Sequence, residues 1–156
     1  MPDLSNPFNL LAVAFEIAIK SLFALAIINL LKEIQPHNRK IVPGLVWLLI
    51  IPELNLVWNF VVAVCVSSSL RKELDERNYD VKGQPTLILG LVYALLSCSA
   101  LFIPVPKDIK DPSNSTVYGI LGLAVIVFFV QYWMKINWYK TVIRNDSLEP
   151  ETKEEL

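Results

Sequence analysis

Four long apolar runs, separated by short clusters of charge, predict an all-α fold: a polytopic membrane protein with four transmembrane helices in an antiparallel bundle. Three observations carry this. The chain of 156 residues is 54% hydrophobic and only 19% charged, below the roughly 25% charge usual for soluble domains. Its mean hydropathy is +0.47. The apolar runs approach the roughly 20 residues that a helix needs to cross about 30 Å of hydrocarbon. They do not alternate in polarity as barrel strands would.

The first helix is expected from about Phe8 to Leu31, closing at Lys32–Glu33 before Pro36. It has no basic residue ahead of it and is too long for the apolar core of a cleavable signal peptide, so it reads as a retained span. The second is expected over 42–69, with a cytoplasmic extension to about 80. Pro52 lies inside it, and a proline there removes a backbone donor and clashes with the preceding turn, so a kink or a break is expected near Leu48 to Pro52. Beyond Ser69, Leu70 and Leu74 share a face among charged residues, which predicts an amphipathic stalk in water. Gly83 and Pro85 should end it. The third helix is expected over 86–103, between Pro85 and Pro104, and the fourth over 117–138. Residues 1–145 then form one transmembrane domain, and the acidic segment 146–156 is too polar to pack and reads as disordered.

Orientation follows from Lys and Arg near the helix ends. Arg71, Lys72, Arg77, Lys82, Lys135, Lys140, Arg144 and Lys153 would share one side, against Lys32, Arg39, Lys40, Lys107 and Lys110 on the other. The larger set should face the cytoplasm, giving N-in and C-in. Arg77 and the C-terminal segment should then lie opposite His37 and Asn114. Tyr132, Trp133, Trp138 and Tyr139 mark an interfacial aromatic belt. Asn114-Ser115-Thr116 is a glycosylation sequon, expected in the third loop.

The polar residues inside the spans are the candidate sites. Glu16 and Lys20 stand four apart on one face of the first helix, acid before base, the favoured order for an ion pair. Charge at that depth is costly, so the pair should turn inward, either to fix helix register or to line an ion path. Glu53, Asn55 and Asn59 cluster beside Pro52. They either repair the kink, including the freed carbonyl of Leu48, or coordinate an ion. Gly90, Ala94 and Cys98 form a small-residue stripe for close helix packing, and Gly119 and Gly122 resemble one at the start of the fourth helix.

No phosphate loop, zinc-protease pair, nucleophile elbow or haem-type histidine pair occurs in the sequence. Cys65 and Cys98 lie in apolar runs and His37 lies in a loop, so no metal site, disulfide or cofactor is expected. A net charge of −1 gives no basic patch for nucleic acid. No catalytic residue is assigned, and an enzyme is not expected.

The run Ile51-Pro52-Glu53-Leu54-Asn55-Leu56-Val57-Trp58-Asn59-Phe60, followed by Ser69-Leu70-Arg71-Lys72-Glu73-Leu74, resembles small uncharacterised bacterial membrane proteins of four helices. The resemblance covers about thirty residues and implies a bacterial inner membrane but no activity. From the residues, the expectation is a non-enzymatic, self-associating membrane protein that lines an ion-conducting path. The alternative is an accessory or structural subunit of a larger membrane complex. The expected partners are the lipid bilayer and either further copies of the chain or other membrane subunits.

Overall fold

The computed structural model describes residues 7–79, 83–102 and 112–154. Among them the fold is all-α: α1 (Pro7–Glu33), a 3-10 helix (Pro43–Ile50), α2 (Pro52–Glu76), α3 (Leu87–Phe102) and α4 (Pro112–Glu154). Prolines punctuate it. Pro7, Pro43, Pro52 and Pro112 each open an element, at the position where a missing N–H is no loss and the fixed φ suits a helix.

The expected second helix is two elements, and they run in opposite directions. Ile51 precedes Pro52 and is held extended, at φ −74° and ψ 115°, because the proline ring disfavours helical geometry in the residue before it. Pro43 does the same to Val42, at φ −71° and ψ 131°. Of the two expected outcomes the structure has the break, and it is a full reversal of direction. The indole N–H of Trp58 donates to the carbonyl of Leu45 at 2.9 Å, and the N–H of Lys40 donates to Ser69 Oγ at 2.7 Å. Those two bonds lay the segment 40–51 antiparallel along α2 as far as Ser69. The carbonyl of Leu48 is satisfied locally, by the N–H of Ile51 at 3.2 Å.

This reversal overturns the expected topology. His37 Nε2 lies 3.1 Å from a Glu76 carboxylate oxygen, so the first loop and the end of α2 occupy the same end of the bundle. Arg77 reaches Asp146 of α4 at 2.8 Å, which adds the last turns of α4 to that end. The three long helices α1, α2 and α4 all run toward it, and the bundle is not antiparallel throughout. The return legs are the 3-10 helix and α3. Three helices are long and apolar enough to cross a membrane, not four: Val13–Glu33, Leu54–Glu76 and Gly119–Ser147. With 16 residues, α3 is about 24 Å long, short of a full crossing.

Other boundaries also move. Asn78 takes a left-handed φ of 59°, and the N–H of Tyr79 bonds the carbonyl of Leu74 at 3.0 Å. This αL closure ends α2 at Glu76, ahead of Gly83 and Pro85. The sequon falls in the first turn of α4 rather than in a loop, and α4 continues through the acidic segment to Glu154. Residues 103–111, where Pro104, Lys107 and Lys110 lie, and residues 155–156 are outside the described residues.

The core is concentrated toward the charged end. Ile27, Leu30, Leu31 and Ile34 of α1 are fully buried, with Val46 and Leu49 of the 3-10 helix, Leu70 and Leu74 of α2, and Ile136 and Ile143 of α4. Phe23, Tyr93, Phe129, Tyr132 and Trp133 stack below them, with ring centroids 5.0 to 6.4 Å apart. Toward the far end Phe8, Leu11 and Phe15 of α1 and Val117, Ile120 and Leu123 of α4 are exposed, an apolar surface fit for lipid or a second helix.

Candidate functional site

Glu16 and Lys20 form an ion pair of 2.6 Å on α1. The two side chains do not both turn inward. Lys20 is 20% exposed, but Glu16 is 62% exposed, on the surface that also presents Phe15 and Ile17. Phe8, Leu10 and Leu11 continue that apolar surface beyond it, so the pair does not sit at the end of the helix. The expectation of an inward-facing pair holds for the cation only.

Glu53, Asn55 and Asn59 all lie in the first turns of α2, past the reversal. The side chain of Glu53 lies outside the described residues. Asn55 is half-buried, and its backbone N–H closes on the carbonyl of Ile51 at 2.8 Å. Asn59 is buried, and its Nδ2 has no hydrogen-bond partner.

Gly90, Ala94 and Cys98 lie along α3. A Cβ on Gly90 would stand 2.7 Å from that of Ala63 on α2 and 3.0 Å from the Tyr132 ring on α4, so three helices meet there. Ala94 is fully buried, and Cys98 Sγ lies 3.7 Å from the carbonyl of Leu56 on α2. At Gly119 and Gly122 a Cβ would meet nothing within 4 Å, so these two glycines pack against no helix among the described residues.

The densest polar cluster is one the sequence reading placed in water. Glu73, on the expected stalk, has a side chain only 1% exposed. Its Oε2 accepts from the N–H of Gln35 at 2.9 Å and from Asn38 Nδ2 at 3.0 Å. Its Oε1 accepts from Arg77 Nε at 2.9 Å. Arg77 then reaches α4, donating to Asp146 at 2.8 Å, to the carbonyl of Ile143 at 3.1 Å and to Ser147 Oγ at 3.1 Å. Burial disfavours the Arg77 charge, yet its bonds to Asp146 and Glu73 hold its pKa above the ordinary guanidinium value. Asn38 also donates to Glu76 at 2.7 Å. A buried charge is tolerable when it is paired and its remaining lone pairs are hydrogen-bonded, and Glu73 meets both conditions. Nearby, Arg39 donates to the carbonyls of Ile34 at 2.8 Å and Lys32 at 3.1 Å. There a cation satisfies the otherwise unpaired C-terminal carbonyls of α1.

The cluster ties three segments together. Among the described residues no group of three or more His, Cys, Asp or Glu is placed to hold a metal ion. No family model matches the chain, and neither a curated protein nor a solved structure does.

Proposed function

We propose that this chain is a non-catalytic integral membrane protein that self-associates through the exposed apolar surface around Glu16. The exposure of Glu16 within an apolar surface of α1 carries the reading. A charge facing lipid costs roughly 2.5 to 3.5 kcal/mol on insertion scales, and pairing with Lys20 relieves only part of that. A second copy laid over this face shields the carboxylate and covers the apolar side chains around it. The open glycines of α4, Gly119 and Gly122, suit close approach of another helix. An ion-conducting path, if copies build one, runs between them beside Glu16 and Lys20.

The charged end faces the cytoplasm in this reading. Lys32, Arg39, Lys40, Arg71, Lys72, Arg77, Lys140 and Arg144 all belong to it, and cytoplasmic flanks collect such cations. The reversal moves Lys32, Arg39 and Lys40 to the side of the majority, so the charge asymmetry is sharper than the four-crossing topology allowed. A second reading, an accessory subunit of a larger complex, is favoured by α4 itself. Its last turns, from Ser147 to Glu154, continue past the Arg77 contact as an arm for a partner.

The mass of the detergent-solubilised protein tests both. A self-associating chain runs as a defined multiple of 17.7 kDa, and Glu16→Gln with Lys20→Met shifts that multiple while the fold survives. A monodisperse monomer in mild detergent rules out self-association and leaves the accessory role. In reconstituted vesicles, wild-type flux that the double variant loses supports the path. Equal flux from both removes Glu16 and Lys20 from it.

A further inference from the structure

A cavity of about 280 Å³ opens between the start of α3 and α4, lined by Gln84, Thr86, Leu89, Lys135 and Tyr139 among others. Leu89 and Lys135 also line a second groove, of about 450 Å³, which continues along α4 past Gln131, Met134 and Trp138. Three features of the first cavity bear on what it could hold. Thr86 is a β-branched residue in a left-handed conformation, φ 67°, a genuine outlier for such a side chain. It is 5% exposed, and its hydroxyl has no hydrogen-bond partner. Such an orphaned buried group is rare and asks for a ligand or a water. Lys135 pairs with no described carboxylate, and lies 5.9 Å over the Tyr139 ring.

Position supplies the rest. Thr86 immediately precedes α3, whose leading N–H groups have no intrahelical acceptor and favour an anion. Ile88 and Leu89, in that first turn, line the cavity. Trp138 and Tyr139, stacked edge to face at 4.7 Å, are the aromatic pair expected at headgroup level. The second groove leads from there toward the hydrocarbon, and its wall is mainly apolar apart from Gln131 and Lys135.

We propose that these joined cavities bind one anionic glycerophospholipid, with Gln84, Thr86, Lys135 and the α3 N-terminus around the phosphate and an acyl chain along Leu89 and Met134. The chemistry recognised is a phosphate ester at the interface. A lone cation would attract any anion, but the apolar groove continuing from it selects one that carries a hydrocarbon tail. Thr86 lines the cavity with a strained backbone, in keeping with the tendency of strain to collect at ligand sites.

The experiment is native mass spectrometry of the purified chain in mild detergent, titrated with phosphatidylglycerol or phosphatidylcholine, with thermal unfolding in parallel. One phosphatidylglycerol per chain is expected, at least tenfold preferred over phosphatidylcholine. Lys135→Gln should reduce that preference about tenfold, and Lys140→Gln, outside the cavity wall, should leave it intact. Thr86→Gly should raise the unfolding temperature by releasing the strained backbone, yet lower the preference. Thr86→Val should lower it while retaining the β-branch. Equal binding of the two lipids overturns the proposal, as does an equal loss from Lys140→Gln, which would indicate a diffuse basic surface. Displacement of the lipid by millimolar inorganic phosphate would assign the site to a free anion and overturn the lipid assignment.

Discussion

Glu73 shows how little a residue's chemistry reveals when its surroundings arrive from elsewhere in the chain. In sequence it sits among Arg71, Lys72, Asp75 and Glu76, a run that reads as solvated. In the fold Gln35, Asn38 and Arg77 close over it, and two of those partners lie 38 and 35 positions away. Replacing it tests the account. Glu73→Ala removes the acceptor shared by Gln35, Asn38 and Arg77 at a buried site, while Arg77 keeps Asp146 and Asn38 keeps Glu76, so a loss of about 1 to 3 kcal/mol is expected. Thermal unfolding in detergent measures this, and a loss under 1 kcal/mol would mean that water reaches the cluster. Gly90 was legible as a small residue, but its reason lies in Ala63 and Tyr132. Gly90→Ala gains up to about 1 kcal/mol of helix propensity. It also drives a methyl into a rigid neighbour, and overpacking costs about 1 to 3 kcal/mol, so a net loss is expected. Gly119→Ala meets open space and should not lower the unfolding temperature of the monomer.

At the scale of elements, helical content was legible and direction was not. Apolar runs and prolines placed α1 and α3 within a few residues. The run from Val42 to Ser69 is long enough for one tilted crossing, and nothing in its hydropathy separates that from a short leg out and a long leg back. The useful signal was the pair Pro43 and Pro52, each of which forces its preceding residue extended. A single proline bends a helix, whereas two extended joints nine residues apart isolate a leg that can fold back. The decisive bonds, Lys40 to Ser69 and His37 to Glu76, join residues no local pattern connects. Single cysteines at His37 and Arg77 should react with a membrane-impermeant reagent from the same side. Labelling from opposite sides would restore the four-crossing topology. Pro52→Ala should leave the labelling pattern unchanged, because those bonds hold the reversal without the ring. It should lower stability by about 0.4 to 1 kcal/mol by freeing the unfolded chain.

Across the whole molecule the two ends of the bundle differ in kind. One holds the packed core, the cations and the Glu73 cluster. The other is a sheath of exposed apolar side chains interrupted by Glu16. That polarity was half visible in the sequence, as charge clusters, but the assumed topology distributed them over both faces. The reversal at Ile51–Pro52 also bears on how the chain enters its bilayer during synthesis. In the proposed orientation, with the segment 40–51 and α2 leaving and returning at one end, Arg39, Lys40, Arg71, Lys72 and Arg77 would not have to be translocated. The part carried across to the far side would be the tip of the hairpin, around Ile51 to Leu54. Each arginine or lysine carried into the bilayer centre is penalised by about 2.5 to 3.5 kcal/mol at the insertion machinery. Two arginines added at the tip, beside Ile51, should therefore block insertion of the hairpin, whereas two added beside Arg39 should not. Protease protection of the nascent chain would register the difference, and equal insertion of both variants would show that the hairpin does not enter tip first.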